Sequence, residues 1–363
     1  MNRTPIRRYK RRGGGGATAV IVILSVVVLL AFICLLLALT GRLDPLMESW
    51  FGGGSETDPV TETDPEQTDP VTSGPADTDP VTTAPPVTDP PISGSWLTLT
   101  AEDAKKGILV LVNNDHPFDF PSQQDPDIAD YERLINFYNY RASNGGSGKY
   151  QLTGAEVFLS AEASAALHRM LVECVTVNAG TNFFIQQLYR SYEDQDKVYR
   201  PGSTGAFKPG CSDYHTGNAV YLKLWLENED GSGRGGELTE NPTVATWIEE
   251  SAYKYGFVMR YPSDKKQFTG TITDGEGHYR YVGPIHAAAM KERDMCLEEY
   301  LTFLSDFTYT GNHLQVTTDL GNYEIYSVKL SEQGQTKVPV PEGDYLISGD
   351  GQGSVIIAVP VTE

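Results

Sequence analysis

One stretch limits this chain before any other feature. Ala17–Leu39 reads ATAVIVILSVVVLLAFICLLLAL, without a single charge. As a helix rising about 1.5 Å per residue it exceeds the roughly 30 Å hydrocarbon core of a bilayer, so the sequence predicts a transmembrane helix over 17–41. Arg3, Arg7, Arg8, Lys10, Arg11 and Arg12 precede the run and only Arg42 follows it closely. That bias puts a basic tail, 1–16, in the cytoplasm and everything after the helix outside the cell. A cleavable signal peptide is the competing reading, but its apolar core usually spans about 7–15 residues and ends in an Ala-x-Ala-like site, and neither matches. The expected location is therefore the cell membrane, single-pass, with the C-terminal part extracellular.

Beyond the anchor the charge balance turns acidic. The chain has 28 Lys and Arg against 48 Asp and Glu; seven of the bases lie at or before residue 42, and every acid lies after it. A nucleic-acid partner is excluded on that balance, because neutralising phosphates needs clustered bases on the working domain. Residues 42–94 read as a disordered Thr/Asp/Pro-rich stalk. Within 52–94 Thr-Asp-Pro recurs five times, with nine acids and no base, a composition that cannot bury enough apolar surface to offset its chain entropy. At about 3.1 Å per residue such a stalk reaches roughly 130 Å, enough to cross an external polymer layer. Of the four cysteines Cys34 lies in the apolar run, which leaves Cys174, Cys211 and Cys296 as an odd set with no zinc-ribbon spacing.

The remainder predicts an α+β fold: a small antiparallel sheet with flanking helices over 95–306, then a small C-terminal β appendage over 307–363. ILVLV at 108–112 reads as a short buried strand, and 128–140 and 161–177 have helical spacing. The segment 242–255 opens with Pro at a first-turn position and stops before Gly256. After about residue 309, NYEIYSVKL, TKVPVP and SVIIAVPV alternate or run apolar between Gly and Asp turns, the pattern of a few strands.

Three segments carry candidate chemistry: LYRSYEDQ (188–195), PGCSDYHTGNAVYLKLW (209–225) and YGFVMRYPSDKKQFTGTITDGEGHYRYVG (255–283). Together with LVLVNNDHPF (109–118) and LEEYL (297–301) they resemble, in consistent order over roughly 107–305, the D-alanyl-D-alanine carboxypeptidases of the VanY type. The resemblance implies a D-Ala-D-Ala carboxypeptidase-like fold and a peptidoglycan stem peptide as partner. In that family a Ser-x-His-x-x-Gly-x-Ala-x-Asp segment supplies two zinc ligands, and a Glu-x-x-His segment supplies the general base and the third ligand. Three N/O ligands leave one position open for a water that the metal and the carboxylate deprotonate.

This sequence departs from that pattern where the chemistry sits. Aligning Ser212, Gly217 and Ala219 puts Tyr214 at the first ligand position and Tyr221 at the second. His278 matches the third ligand, and Gly275 stands at the general-base position. Two phenols are poor zinc ligands at an ordinary pKa of about 10, and they suit a plugged pocket better. Substitutes are conceivable. His215 is one residue past the ligand position and would need a bulged backbone to reach it; Glu276 and Asp274 flank Gly275; Cys211 lies four before His215.

The substrate-facing matches are intact: Arg190, Gln195 and Ser212, of which Arg190 suits a carboxylate bidentately without metal. An internal ion pair is the alternative role for Arg190. Trp247, Tyr255, Phe257 and Tyr281 read as core, and His116, His168, His286 and His313 as satisfied histidines. The expectation is a degenerate peptidase that binds stem peptides without cleaving, with no cofactor. The alternatives are an active zinc D,D- or L,D-carboxypeptidase with displaced ligands, and a structural wall domain without ligand.

Overall fold

The computed structural model describes residues 94–120, 134–200, 207–270 and 276–361. The predicted transmembrane helix, the stalk up to residue 93, and Asp274 and Gly275 lie outside these. Among the described residues no helix is long and apolar enough to cross a membrane.

The fold is α+β. Its helices are α1 (Phe137–Ser143), α2 (Ala161–Val177), α3 (Tyr192–Val198), α4 (Pro242–Ser251), α5 (Lys266–Thr269), α6 (Pro284–Arg293) and α7 (Leu297–Leu304). The helix over 161–177 forms as its spacing predicts: Ser160 caps it by accepting from the Ala163 N–H, and Ala163, Leu167, Met170, Leu171 and Cys174 form its buried stripe. Asn241 caps α4 ahead of Pro242 in the same way, and a 3-10 turn carries the helix on to Tyr255. Of the helical reading of 128–140, residues 128–133 lie outside the described residues, Leu134–Asn136 is a strand, and the helix runs from Phe137.

The central sheet runs β3 (Tyr150–Leu152), β5 (Phe183–Gln187), β6 (Ala219–Glu227), β9 (His278–Tyr281) and β8 (Phe257–Met259), with β7 (Gly233–Gly236) also on β6. It is mixed, not purely antiparallel as expected, because β3 pairs with β5 in parallel. The period of two along β6 puts Val220, Leu222 and Leu224 into the core shared with α2 and α4, and leaves Tyr221, Lys223 and Trp225 on the other face. On β9, Tyr279 and Tyr281 join that core, so His278 and Arg280 share the face of Tyr221. Phe257 is also core, with Trp247 and Tyr255 packed against it. A small pair, β2 (Leu134–Asn136) and β4 (Phe158–Ser160), flanks the sheet in sequence.

The C-terminal strands expected after residue 309 form an antiparallel sheet in the order β10 (Leu314–Thr318), β11 (Gly321–Lys329), β14 (Ser354–Pro360), β13 (Leu346–Gly349). Leu314, Val316, Ile325, Ile356 and Ala358 share one core with α6, α7, Leu109 and Leu111. Strand β12 (Thr336–Pro341) pairs over its whole length with β1 (Gly94–Leu99), so the first described strand is built into this region.

The strand expected at 108–112 is not one. Leu109, Leu111 and Val112 are buried, but the segment has no ladder partner. The Ile108 and Val110 carbonyls accept from Arg280 and the Val112 carbonyl from Arg260, while the Leu109 N–H donates to Ser348. Two buried guanidinium groups and a serine do the work of a neighbouring strand.

Candidate functional site

The site is assembled from two neighbours in the central sheet and the turn before one of them. A 3-10 turn, Asp213–Thr216, ends at Gly217 with φ of +66°, and a Cβ there would lie 2.3 Å from Leu134 Cδ2. Only glycine meets both demands. The chain then enters β6, which brings Tyr221 directly opposite His278 on β9. Gly277, just before His278, lets the backbone pass close: a Cβ on it would sit 2.4 Å from the Leu222 carbonyl oxygen and 2.9 Å from the Tyr221 ring.

The three residues aligned with zinc ligands do converge. The Tyr214 ring stacks on the His278 ring with centroids 4.6 Å apart and planes 13° from parallel; Tyr221 meets His278 edge-on at 6.3 Å. Tyr261, which the sequence reading did not single out, meets the imidazole edge-on from 4.8 Å. Burial drives the His278 pKa down to about 3, an effect that Asp213 opposes and the surrounding arginines reinforce. Its imidazole is therefore neutral, and its Nε2 has no hydrogen-bond partner. Burial pushes the Tyr214 phenol well above its usual range, and burial with Glu237 alongside pushes Tyr221 up to about 12. The Tyr221 hydroxyl donates to Glu237 at 3.4 Å, and Glu237 is itself paired with Lys223 at 2.7 Å.

A zinc ion does not fit this donor set. Two neutral phenols and one imidazole are not the three ionised or imidazole ligands that a catalytic zinc needs, and the Tyr214 ring lies flat on the imidazole it would have to share a metal with. Among the described residues displacement does not repair the set. His215 is buried with both nitrogens engaged by backbone: Nδ1 donates to the Arg190 carbonyl at 2.7 Å, and Nε2 accepts from the Gly210 N–H at 3.1 Å. Phe118 and Phe120 pack on its ring. Glu276 is exposed and accepts from Thr239 at 3.3 Å. Cys211 is a free, buried thiol, as are Cys174 and Cys296. Among the described residues no group of three or more His, Cys, Asp or Glu side chains is placed to hold a metal.

Arg190 stands beside this aromatic cluster. Its guanidinium lies 5.3 Å from the Tyr214 ring centroid, donates to Gln195 at 2.8 Å, and donates to Gln187. The ion pair weighed as its alternative role is not what holds it: both acceptors are neutral amides, and it pairs with no carboxylate among the described residues. Gln195 is a strut, accepting from Arg190 and donating to the Phe207 carbonyl at 2.7 Å. Ser212 is fully buried, and its hydroxyl has no partner.

Behind the aromatics lies a group that the sequence reading missed. Asp213 is fully buried, 2.6 Å from Arg280 and 3.4 Å from Arg260. Arg260 makes a bidentate pair with Glu298 of α7 at 2.8 Å for each bond, and Asn113 donates to Glu298 as well. Burial alone would raise the Asp213 carboxyl; the two arginines overcome it and hold the group below the usual carboxylate range. Two acids balance two bases, so the group is neutral as a whole. Its only trace in the sequence is that GFVMRYP and YRYVG each carry an arginine into an otherwise apolar string. His168, His286 and His313 are bonded to Tyr150, Tyr300 and Glu324 respectively, in line with the expectation of satisfied histidines.

A sequence model of the VanY family, described as D-alanyl-D-alanine carboxypeptidase, matches residues 156–284. The D-alanyl-D-alanine carboxypeptidase of Enterococcus faecium is 30% identical over 268 residues, covering 72% of this chain and 78% of that protein. A second D-alanyl-D-alanine carboxypeptidase, from Enterococcus faecalis, is 39% identical over 93 residues, 26% of this chain and 31% of the relative. Among solved structures, the vancomycin-resistance D,D-dipeptidase VanXYg in complex with a D-Ala-D-Ala phosphinate analog superposes with a TM-score of 0.58 at 23% identity. That superposition covers 73% of this chain and 98% of the other, and speaks for the fold. With the enterococcal relative matched across most of its length, the chain belongs to the VanY-type D-alanyl-D-alanine carboxypeptidase family.

Proposed function

We propose that this chain is a membrane-anchored, extracytoplasmic member of its family that recognises peptidoglycan stem peptides ending in D-Ala-D-Ala and holds them without cleaving. One observation carries the reading. At the ligand positions two neutral tyrosines pack around a neutral histidine, while Arg190 beside them is preoriented by neutral amides and makes no ion pair among the described residues. Recognition needs a cation aimed at a carboxylate; hydrolysis also needs an activated water and a base. Arg190 supports the first, and two tyrosines and a glycine stand at the positions aligned with the donors for the second. Anchoring rests on the 17–39 run and the six bases before it, and the stem peptide on what the relatives are named for.

The test is a titration of the purified full-length chain with an acyl-D-Ala-D-Ala peptide, with chelator and again with added zinc, while free D-Ala is assayed. Saturable binding in chelator with no D-Ala released in either condition is expected. Zinc-dependent release would establish the displaced-ligand peptidase instead, and absence of binding up to millimolar peptide would leave a structural wall domain. For the topology, protease added to intact cells is expected to release a soluble fragment by cutting within 52–94. A naturally processed chain starting near residue 42 would establish a signal peptide.

A further inference from the structure

We propose that Tyr214 is the specificity-determining contact of a metal-free site: its neutral hydroxyl donates, together with Arg190, to a single ionised carboxylate of the bound peptide. This rests on the reading of the site as a peptide receptor and adds which groups make the contact and which ligand charge they select.

Four observations converge on it. The Tyr214 ring is fixed, stacked on His278 and lying under the Arg190 guanidinium, so its hydroxyl and the guanidinium are held in one place. That hydroxyl donates to no group among the described residues, whereas the Tyr261 hydroxyl is sealed without a partner and the Tyr221 hydroxyl is engaged by Glu237. Of the three phenols around His278, Tyr214 is the one that is neither sealed without a partner nor engaged by a carboxylate among the described residues.

The local charge points to the ligand class. Asp213 and Glu298 are balanced by Arg280 and Arg260, His278 is neutral, and Arg190 is left as a half-buried cation whose hydrogen bonds go to amide oxygens, with Asp194 acting on it only at longer range and itself paired with Lys197. A partly desolvated cation without a carboxylate in direct contact favours a full negative charge over a neutral carbonyl. Finally, two polar groups next to Tyr214, the Ser212 hydroxyl and His278 Nε2, are each more than nine-tenths buried and have no partner. Buried polar groups normally have partners, and a ligand carboxylate with its water would supply them.

The test uses the full-length chain in chelator, titrated with an acyl-D-Ala-D-Ala peptide and with the same peptide as its C-terminal amide. The acid is expected to bind at least tenfold more tightly than the amide. Tyr214→Phe keeps the ring and removes only the donor; it is expected to weaken the acid by about tenfold or more, the usual scale for a hydrogen bond to a charged group, and to leave the amide unchanged. Tyr138→Phe, on the exposed side of α1, serves as control and is expected to bind as the parent does. Thermal unfolding of Tyr214→Phe within a degree or two of the parent separates loss of contact from loss of fold. Equal binding of acid and amide, or unaltered binding of the acid by Tyr214→Phe, overturns the inference while the receptor reading stands. Failure of the parent to bind either peptide overturns both.

Discussion

The front and the back of this site share the 213–216 turn and β9 and differ in kind. Residue 213 of the turn faces back and residue 214 faces front; residue 280 of β9 makes an ion pair while residue 278, two positions along, sits among tyrosines. The back is a closed electrostatic unit in which each charge has an opposite partner at 2.6–3.4 Å. The front has neutral rings at the positions aligned with the family's ligands, and Ser212 and His278 keep atoms without a hydrogen-bond partner, whereas in the back Asp213 Oδ2 and Arg260 Nε, which also lack one, still meet as an ion pair at 3.4 Å. A buried charge network tolerates no single loss, because each deletion strands its partner in low dielectric. A ring-filled pocket only has to be filled. Fold and front can vary separately because different residues of the turn and of β9 serve each.

The largest expected effect restores the front on the intact back. Tyr214→His, Tyr221→Asp and Gly275→Glu together are expected to bind zinc and to release D-Ala from a stem-peptide mimic, with the carboxylate alone worth about 10²–10⁴ in rate. Each change alone is expected to give neither result. Metal analysis and a D-Ala assay decide it; a folded triple variant without zinc would mean that the front has diverged in shape as well as in ligands.

Breaking the back comes next. Asp213→Ala leaves Arg280 buried without its carboxylate and is expected to lower unfolding free energy by about 3–5 kcal/mol, read by chemical denaturation. An effect below about 1 kcal/mol would show that front and back do not differ as described.

Acid separates the two regions by pH window. His278, depressed to about 3 in the fold, stays neutral where the unfolded chain, with an ordinary histidine near 6.5, takes up a proton. Its contribution to stability is whole above pH 6.5 and is lost as pH falls from there toward 3. Asp213, held low by its arginines, contributes above about pH 4 and is lost only as pH falls through its lower folded value. At pH 5, unfolding is expected to take up about one proton fewer in His278→Phe than in the parent, measured from the pH dependence of stability. An equal uptake in both would place the imidazole in water.

The smallest expected change in stability is at Arg190. Its acceptors are neutral and it is half-buried, so Arg190→Ala is expected to lower unfolding free energy by only about 1 kcal/mol while abolishing peptide binding. A loss of several kcal/mol with binding retained would make Arg190 a structural residue.

Much of this was legible in the sequence, for identifiable reasons. The helices over 161–177 and 242–251 announce themselves through a periodic apolar stripe and a capping residue, both local signals. The convergence of Tyr214, Tyr221 and His278 followed from motif spacing, because the strand period fixes which residues of β6 and β9 share a face. The Asp213–Arg280–Arg260–Glu298 group was not legible, since its members are brought together from the turn, a strand, the bend after another strand and a helix, and a buried arginine looks locally like an exposed one. The same group misled the reading of 108–112. An apolar run implies a strand only if its carbonyls find a strand to bond, and here they find guanidinium groups. His215 was open to a ligand role for a similar reason, as the backbone groups that engage both its nitrogens are 5 and 25 residues away.

The central claim is that the family scaffold persists here without the donors for zinc chemistry. It is tested most directly by incubating the purified full-length chain with acyl-D-Ala-D-Ala peptide and a slight excess of zinc, and following free D-Ala together with bound metal after desalting. The account predicts far less than one zinc per chain and D-Ala release no faster than in chelator. One zinc per chain with chelator-sensitive release, Tyr214 and Tyr221 unchanged, would contradict it.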